Sequence, residues 1–123
     1  MSLVVLLGVG LLGGAGAIGR FLLDAAVTAR AGGRFPWGTL AVNLSGALAL
    51  GVLVGAAVSG DGLRLAGTGL LGAYTTFSTW AFESHRLAED GRLRLGLAVT
   101  YAAASVLAGC LAVAAATNLV RRV

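Results

Sequence analysis

Charged and turn-forming residues cluster along the chain and leave four long apolar runs between them, at about 3–20, 37–58, 63–82 and 95–119. Each is close to the length of about 20 residues that a helix needs to cross the hydrocarbon of a bilayer. The intervening segments read as short loops. Asp24 to Pro36 carries Arg30, Gly32, Gly33 and Arg34; Ser59-Gly60-Asp61-Gly62 is a tight polar turn; Ser84 to Arg94 holds His85, Arg86, Glu89, Asp90, Arg92 and Arg94. Pro36 suits the first turn of a helix, and Trp37 is placed for the interfacial aromatic belt. The pattern predicts an all-α integral membrane protein, one domain over 1–123 with four transmembrane helices. A secretory signal competes for the first run, because Ala15-Gly16-Ala17 resembles a cleavage site. No basic segment precedes it and the apolar run continues past it, so the run is read as a retained helix.

The third run contains an anomaly, Gly72-Ala73-Tyr74-Thr75-Thr76-Phe77-Ser78-Thr79-Trp80. Thr and Ser bond backbone carbonyls and compete with helical hydrogen bonding, and Gly72 weakens the helix just before them. Irregular backbone at membrane depth is tolerated only where protein buries it or it lines a wet cavity. The stretch therefore predicts a helix broken at mid-membrane; the alternative is a Thr-rich contact between helices. Thr39 and Asn43 share a face of the second run, with Ser45 to one side. Asn43 is either interhelical glue or faces a pore, since a buried amide must find partners. Tyr101 and Ser105, four apart in the fourth run, share a face as well. Arg20, closing the first run, either snorkels to the headgroups or faces an aqueous vestibule.

Composition narrows the class. With 58% hydrophobic and 11% charged residues in 123, and a mean hydropathy of +0.92, the chain has too much apolar surface for a soluble domain of this size. The 20 glycines and single proline suit closely packed membrane helices, and Gly10-x-x-x-Gly14 and Gly51-x-x-x-Gly55 have small-residue packing spacing. The net charge of +4 comes from Arg alone among the basic residues. These lie in loops and at run ends, where they act as topology signals rather than as a nucleic-acid surface. Four crossings put both termini on one side with Arg64, Arg121 and Arg122; the larger Arg group lies opposite, a modest bias toward cytoplasmic first and third loops. Cys110, the only cysteine, reads as a small buried packing residue, and His85 as a solvated loop residue with no metal partner nearby.

The intramembrane polar positions are all uncharged: Thr39, Asn43, Thr75 to Thr79, Tyr101 and Ser105, with Phe77 and Trp80 beside them. No nucleophile–base pair, metal-ligand spacing or phosphate loop accompanies them, so catalysis has no support. A narrow neutral track could pass a small ion. Amide and hydroxyl donors and the positive edges of aromatic rings favour an anion, whereas carbonyls freed at a helix break suit a cation.

Three motifs stand in order along the chain: Gly14-Ala15-Gly16-Ala17-Ile18-Gly19-Arg20, Pro36-Trp37-Gly38-Thr39-Leu40-Ala41-Val42-Asn43-Leu44-Ser45-Gly46, and the third-run stretch from Gly72 to Trp80. Together they resemble the Fluc/CrcB fluoride channels. The resemblance covers essentially the whole chain. It implies a passive, fluoride-selective channel in the inner (plasma) membrane that exports cytoplasmic fluoride and relieves its toxicity. It further implies an antiparallel, dual-topology dimer with a central sodium ion held by backbone carbonyls of Gly72 and Thr75. By position, Asn43, Phe77, Tyr101 and Ser105 would line a pathway, with Thr39 and Glu83 toward its ends and Arg20 at a vestibule. Two positions depart from the family pattern. Trp80 stands where a second Phe is usual, and Gly109 where the fourth helix usually offers a further hydroxyl. Beside a homodimer, a heterodimer with a paralogue, in which this chain is half-active or non-conducting, is therefore kept as an alternative. A small multidrug-type exporter is the rival from another class; it would need a Glu within the first helix, and none is there.

Overall fold

The computed structural model describes residues 1–89 and 92–123, with Arg92 and Leu93 described in backbone only. Helix α1 spans Leu3–Ala31 and α2 spans Trp37–Gly55. Helix α3 covers 60–74: a first turn Gly60–Leu63, a wider π-wound stretch Arg64–Leu71, and a last turn Gly72–Tyr74. Helix α4 is Phe77–Ala88 and α5 is Arg92–Arg122. Among the described residues there is no strand. Three of these helices, α1, α2 and α5, are long and apolar enough to cross a membrane.

Helix ends differ from the apolar boundaries. Helix α1 begins where Ser2 Oγ accepts the amide of Val5, and it does not stop near Arg20 but continues to Ala31. Asp24 does not break it: Thr28 Oγ1 donates back to Asp24 Oδ1 at 3.3 Å, one turn away. The helix ends at Gly32, whose φ of +83° turns the chain while its N–H still reaches Thr28 O at 2.9 Å, the conformation for which glycine is favoured after a helix. The loop expected over Asp24 to Pro36 thus shrinks to 32–36. Helix α2 ends at Gly55, short of Val58. The turn after it is shifted rather than shortened: it covers 56–59, because α3 starts at Gly60 itself. Helix α4 likewise carries Ser84, His85 and Arg86 in its last turns rather than in a loop; Asp90 and the side chain of Arg92 lie outside the described residues. A hydropathy boundary marks where lipid contact ends, whereas a helix continues until a cap or a turn residue stops it.

Glycines set how closely these helices approach. A Cβ on Gly16 would strike the carbonyl oxygen of Leu70 and lie 3.1 Å from the Tyr74 amide nitrogen, so α1 lies directly on the backbone of α3. On α2, a Cβ at Gly51 would sit 2.6 Å from Val113 O and one at Gly55 2.8 Å from Thr117 O, and Thr117 Oγ1 donates to Gly51 O at 3.0 Å. The Gly51–Gly55 pair is thus the α2–α5 seam. Gly10 and Gly14 have nothing nearby and face outward.

The register of the contacts gives helix directions. Gly8 lies against Leu65, Gly13 against Gly69 and Ala73, and Gly19 against Tyr74, so α1 and α3 run the same way. Gly51 against Val113 and Gly55 against Thr117 make α2 and α5 parallel too. Trp80 meets Ser105, while Leu87 clusters with Ala98 and Tyr101, so α4 and α5 are antiparallel. Little apolar side chain is buried: Val42 completely, with Leu87, Ala98, Tyr101 and Ala116. Leu3, Leu7, Leu11, Ile18, Phe21, Leu107 and Leu111 are all exposed. Helices apolar on their outer faces match a lipid surroundings, not water.

Candidate functional site

The interruption falls at Thr75 and Thr76, whose backbones are extended (φ −76°, ψ 158° and φ −143°, ψ 122°). Side chains hold it open. Thr75 sends both its amide and its Oγ1 to Leu71 O, each at 2.9 Å. Thr76 Oγ1 accepts the Thr79 amide at 3.2 Å and donates to Thr79 Oγ1 at 3.0 Å, capping α4. From α2, Asn43 closes a two-way pair with the Thr76 backbone: Nδ2 donates to Thr76 O at 3.0 Å, and Oδ1 accepts the Thr76 amide at 2.9 Å. The Asn43 carboxamide stands in for the helical acceptor that the Thr76 amide has lost, and it also donates to the carbonyl of the same residue.

This pattern releases particular carbonyls. In a continuous helix Gly72 O would accept the Thr76 amide and Thr75 O the Thr79 amide. Those amides go instead to Asn43 and to Thr76 Oγ1. Gly72 O and Thr75 O are therefore left without their helical donors. Gly46 makes the approach of α2 possible, since a Cβ there would collide with Thr75 Cγ2 and come within 3.3 Å of the Tyr74 ring. Beside it, Tyr74 Oη lies 2.7 Å from Ser45 Oγ, which itself donates to Val42 O at 3.0 Å. Gly16 stands mid-way along α1, Gly46 mid-way along α2 and Ser105 near the middle of α5, so the interruption lies at mid-depth.

Two cavities flank it. The larger, about 510 Å³, is an open and mostly apolar groove that brings together Asn43, Gly72, Thr75, Phe77, Trp80 and Ser105. Phe77 is 77% exposed on its wall, with its ring centroid 5.2 Å from that of Trp80. Trp80 Nε1 donates to Ser105 Oγ at 2.7 Å, and Ser105 Oγ donates to Ala102 O at 3.0 Å. The smaller cavity, about 220 Å³, gathers Arg20, Asp24, Thr39, Thr76 and Thr79. Thr76 borders both cavities.

Two expected residues stand apart from both. Tyr101 is 3% exposed, set edge-on against Phe35 at 5.4 Å and packed with Leu87 and Ala98. Its hydroxyl is buried without a hydrogen-bond partner among the described residues. Glu83 pairs with Arg86 at 2.7 Å, and Arg86 reaches on to Gly33 O at 3.1 Å, tying α4 to the first loop. Cys110, expected to be buried packing, is exposed on the wall of the larger groove, which stands open between α2, α3 and α5. The sequence reading did not single out Thr76 and Thr79 from their neighbours. Their hydroxyls were visible in it, but their partners lie in space rather than in sequence. Gly46, too, was legible only as part of a motif.

Outward apolar faces and an uncharged break between two cavities define an α-helical membrane protein organised around an interrupted helix. Residues 7–117 match the family described as CrcB-like protein, Camphor Resistance (CrcB). The chain is 54% identical over 97 residues to "Fluoride-specific ion channel FluC 2" of Mycolicibacterium paratuberculosis, covering 79% of this chain and 80% of that relative. "Fluoride-specific ion channel FluC 1" of Nocardia farcinica is 49% identical over 110 residues, 89% of this chain and 76% of the relative. The protein of the same name from Frankia casuarinae is 46% identical over 118 residues, 89% and 90% of the two chains. The chain belongs to the CrcB family.

Proposed function

We propose that this protein is a fluoride-selective passive channel of the inner membrane that lets cytoplasmic fluoride leave the cell. It is a channel rather than an enzyme, consistent with its family and with the names of its relatives. One observation carries the reading. A mid-depth break is stitched by Asn43 between two cavities, and the larger groove beside it carries hydrogen-bond donors and ring edges but no charged side chain. An anion that sheds water needs replacement contacts spread along its path, each favourable and none deep enough to trap it. The remaining amide proton of Asn43 and the edges of Phe77 and Trp80 can supply such contacts. The first turn of α4 adds the positive end of a helix dipole.

Helices α3 and α4 together act as the third of four crossings, a reading supported by the alternating directions of α1, α2, α3 and α5. The open groove with its exposed Phe77 supports a second subunit there, in an antiparallel dimer, and the pathway then runs along the seam with Arg20 and Thr39 at one end. A homodimer is the simpler assembly; the numbered names FluC 1 and FluC 2 of the relatives fit a paralogue pair as well. The donor set suits a sodium ion: Gly72 O and Thr75 O are hard oxygen ligands lacking their helical donors, and two subunits would double them. When bound, the ion supplies positive charge near the axis and a partner for carbonyls that otherwise lie unpaired in hydrocarbon.

Purified protein in liposomes tests the reading. It should release fluoride far faster than chloride with no proton gradient imposed. Equal chloride flux, or efflux that requires a proton gradient, would overturn it.

A further inference from the structure

The bond between Trp80 and Ser105 has a chemical consequence in the groove. Ser105 has one hydroxyl hydrogen, and it points to Ala102 O at 3.0 Å. Its lone pair receives the indole N–H of Trp80 at 2.7 Å. Neither group, arranged so, offers a free donor to an anion, although both line the groove. The two bonds differ in how easily they give way. Releasing the Ser105 hydroxyl would strip the Ala102 carbonyl of this donor while the oxygen keeps the indole. Releasing the indole leaves Ser105 still bonded to Ala102 and exposes an N–H that can only donate. Phe77 stands beside Trp80 with ring centroids 5.2 Å apart, so an ion that reaches the edge of Phe77 is already next to that N–H.

Resting on the channel reading above, we infer that Trp80 is a specificity-determining residue in this chain. Its indole N–H leaves Ser105 Oγ to hydrogen-bond the passing fluoride and returns when the ion moves on. A hydrogen bond to an ion is about twice as strong as one between neutral groups, so the exchange favours the ion. The site thereby becomes a resting point, with tighter capture and slower release than a plain hydrocarbon ring edge would give.

The consequence is a saturable flux. Trp80→Phe keeps the ring and removes the N–H. It should raise both the half-saturating fluoride concentration and the maximal flux, each by roughly five- to tenfold, the ratio expected when a charged hydrogen bond is lost and a neutral one no longer has to be broken. Ser105→Ala leaves the indole without its resting partner, so it should lower the half-saturating concentration while Trp80→Phe raises it. A merely structural role for the pair would reduce flux in both variants and leave half-saturation unchanged. Binding itself can be read without flux. In a Trp37→Phe background Trp80 is the only tryptophan, and titrating fluoride, but not chloride, should change its emission, with no such change if the indole stays on Ser105. If the wild-type protein conducts fluoride but Trp80→Phe shifts neither parameter and the emission is flat, the inference is wrong and the channel reading stands. If the wild type conducts no fluoride, the channel reading itself fails.

Discussion

Replacing Asn43 with Leu attacks the junction on which the interruption depends. The side chains share the same branched skeleton of four heavy atoms, so the shape is kept, but both bonds to Thr76 vanish. Each is worth about 1 kcal/mol net, and the Thr76 amide is left in low dielectric with no partner, at about 1–3 kcal/mol, while the Thr76 carbonyl keeps the first helical bond of α4. Water in the adjoining cavities can reach Thr76 and offset part of that cost, and hydrogen bonds measured between membrane helices average only about 0.6 kcal/mol. Together these place the loss at about 2–4 kcal/mol. Ser45→Ala on the same helix is the control: it removes the acceptor of Tyr74 Oη, a neutral bond worth about 1 kcal/mol. Both variants can be unfolded reversibly by titrating SDS into mixed micelles. In parallel, hydrogen exchange at the Thr76 amide should quicken by roughly 30-fold or more in Asn43→Leu. Fluoride flux should be lost as well, because the break would relax. If Asn43→Leu unfolds within about 0.5 kcal/mol of the wild type and the Thr76 amide keeps its protection, Asn43 does not hold the break and the account is wrong.

Other expectations follow from the same contacts. Phe77→Ile sits at a position 77% exposed within the single chain, so the fold should persist, and it keeps apolar bulk for the second subunit, so the dimer should persist as well, while fluoride flux falls at least about tenfold; normal conduction would leave Phe77 a packing residue. Gly16→Val drives a branched side chain into the Leu70 carbonyl and should destabilise by about 1–3 kcal/mol or more, whereas Gly10→Ala, with open space around it, should stay within about 0.5 kcal/mol; equal stabilities would refute the α1–α3 contact. Exchanging sodium for N-methylglucamine during purification and assay should lower both dimer stability and flux, and a protein indifferent to that exchange would remove the case for a cation on Gly72 O and Thr75 O.

Much of the architecture was legible because hydrocarbon is a demanding solvent. Only helices satisfy their own backbone there, so the apolar runs at 3–20, 37–58 and 95–119 could hardly be anything else, and each lies within or nearly within an observed helix. The interruption was legible for a related reason. Thr75, Thr76, Ser78 and Thr79 carry hydroxyls that compete for backbone bonds wherever they sit, so four of them after Gly72 announce a weak point before any neighbour is known. What the pattern does not encode is where a helix stops, since that rests on single caps such as Gly32. The π-wound stretch Arg64–Leu71 left no trace either, because its glycines and leucines suit an ordinary α-helix equally well.

The partners at the site were decided by tertiary structure alone. Sequence placed Asn43 inside an apolar run with an amide to satisfy, and left glue and pore both open. Packing shows one carboxamide engaged on both sides by Thr76 while it still borders the groove. It likewise put Tyr101 and Ser105 on one face of a helix, yet in three dimensions Tyr101 is sealed against Phe35 and Leu87 while Ser105 meets the indole of Trp80. The physical reason is the same in each case. A chain dictates locally which groups need a partner, because desolvation acts on every residue by its own chemistry. Which partner answers depends on where glycines such as Gly16 and Gly46 let two backbones come together, and that is a property of the assembled helices.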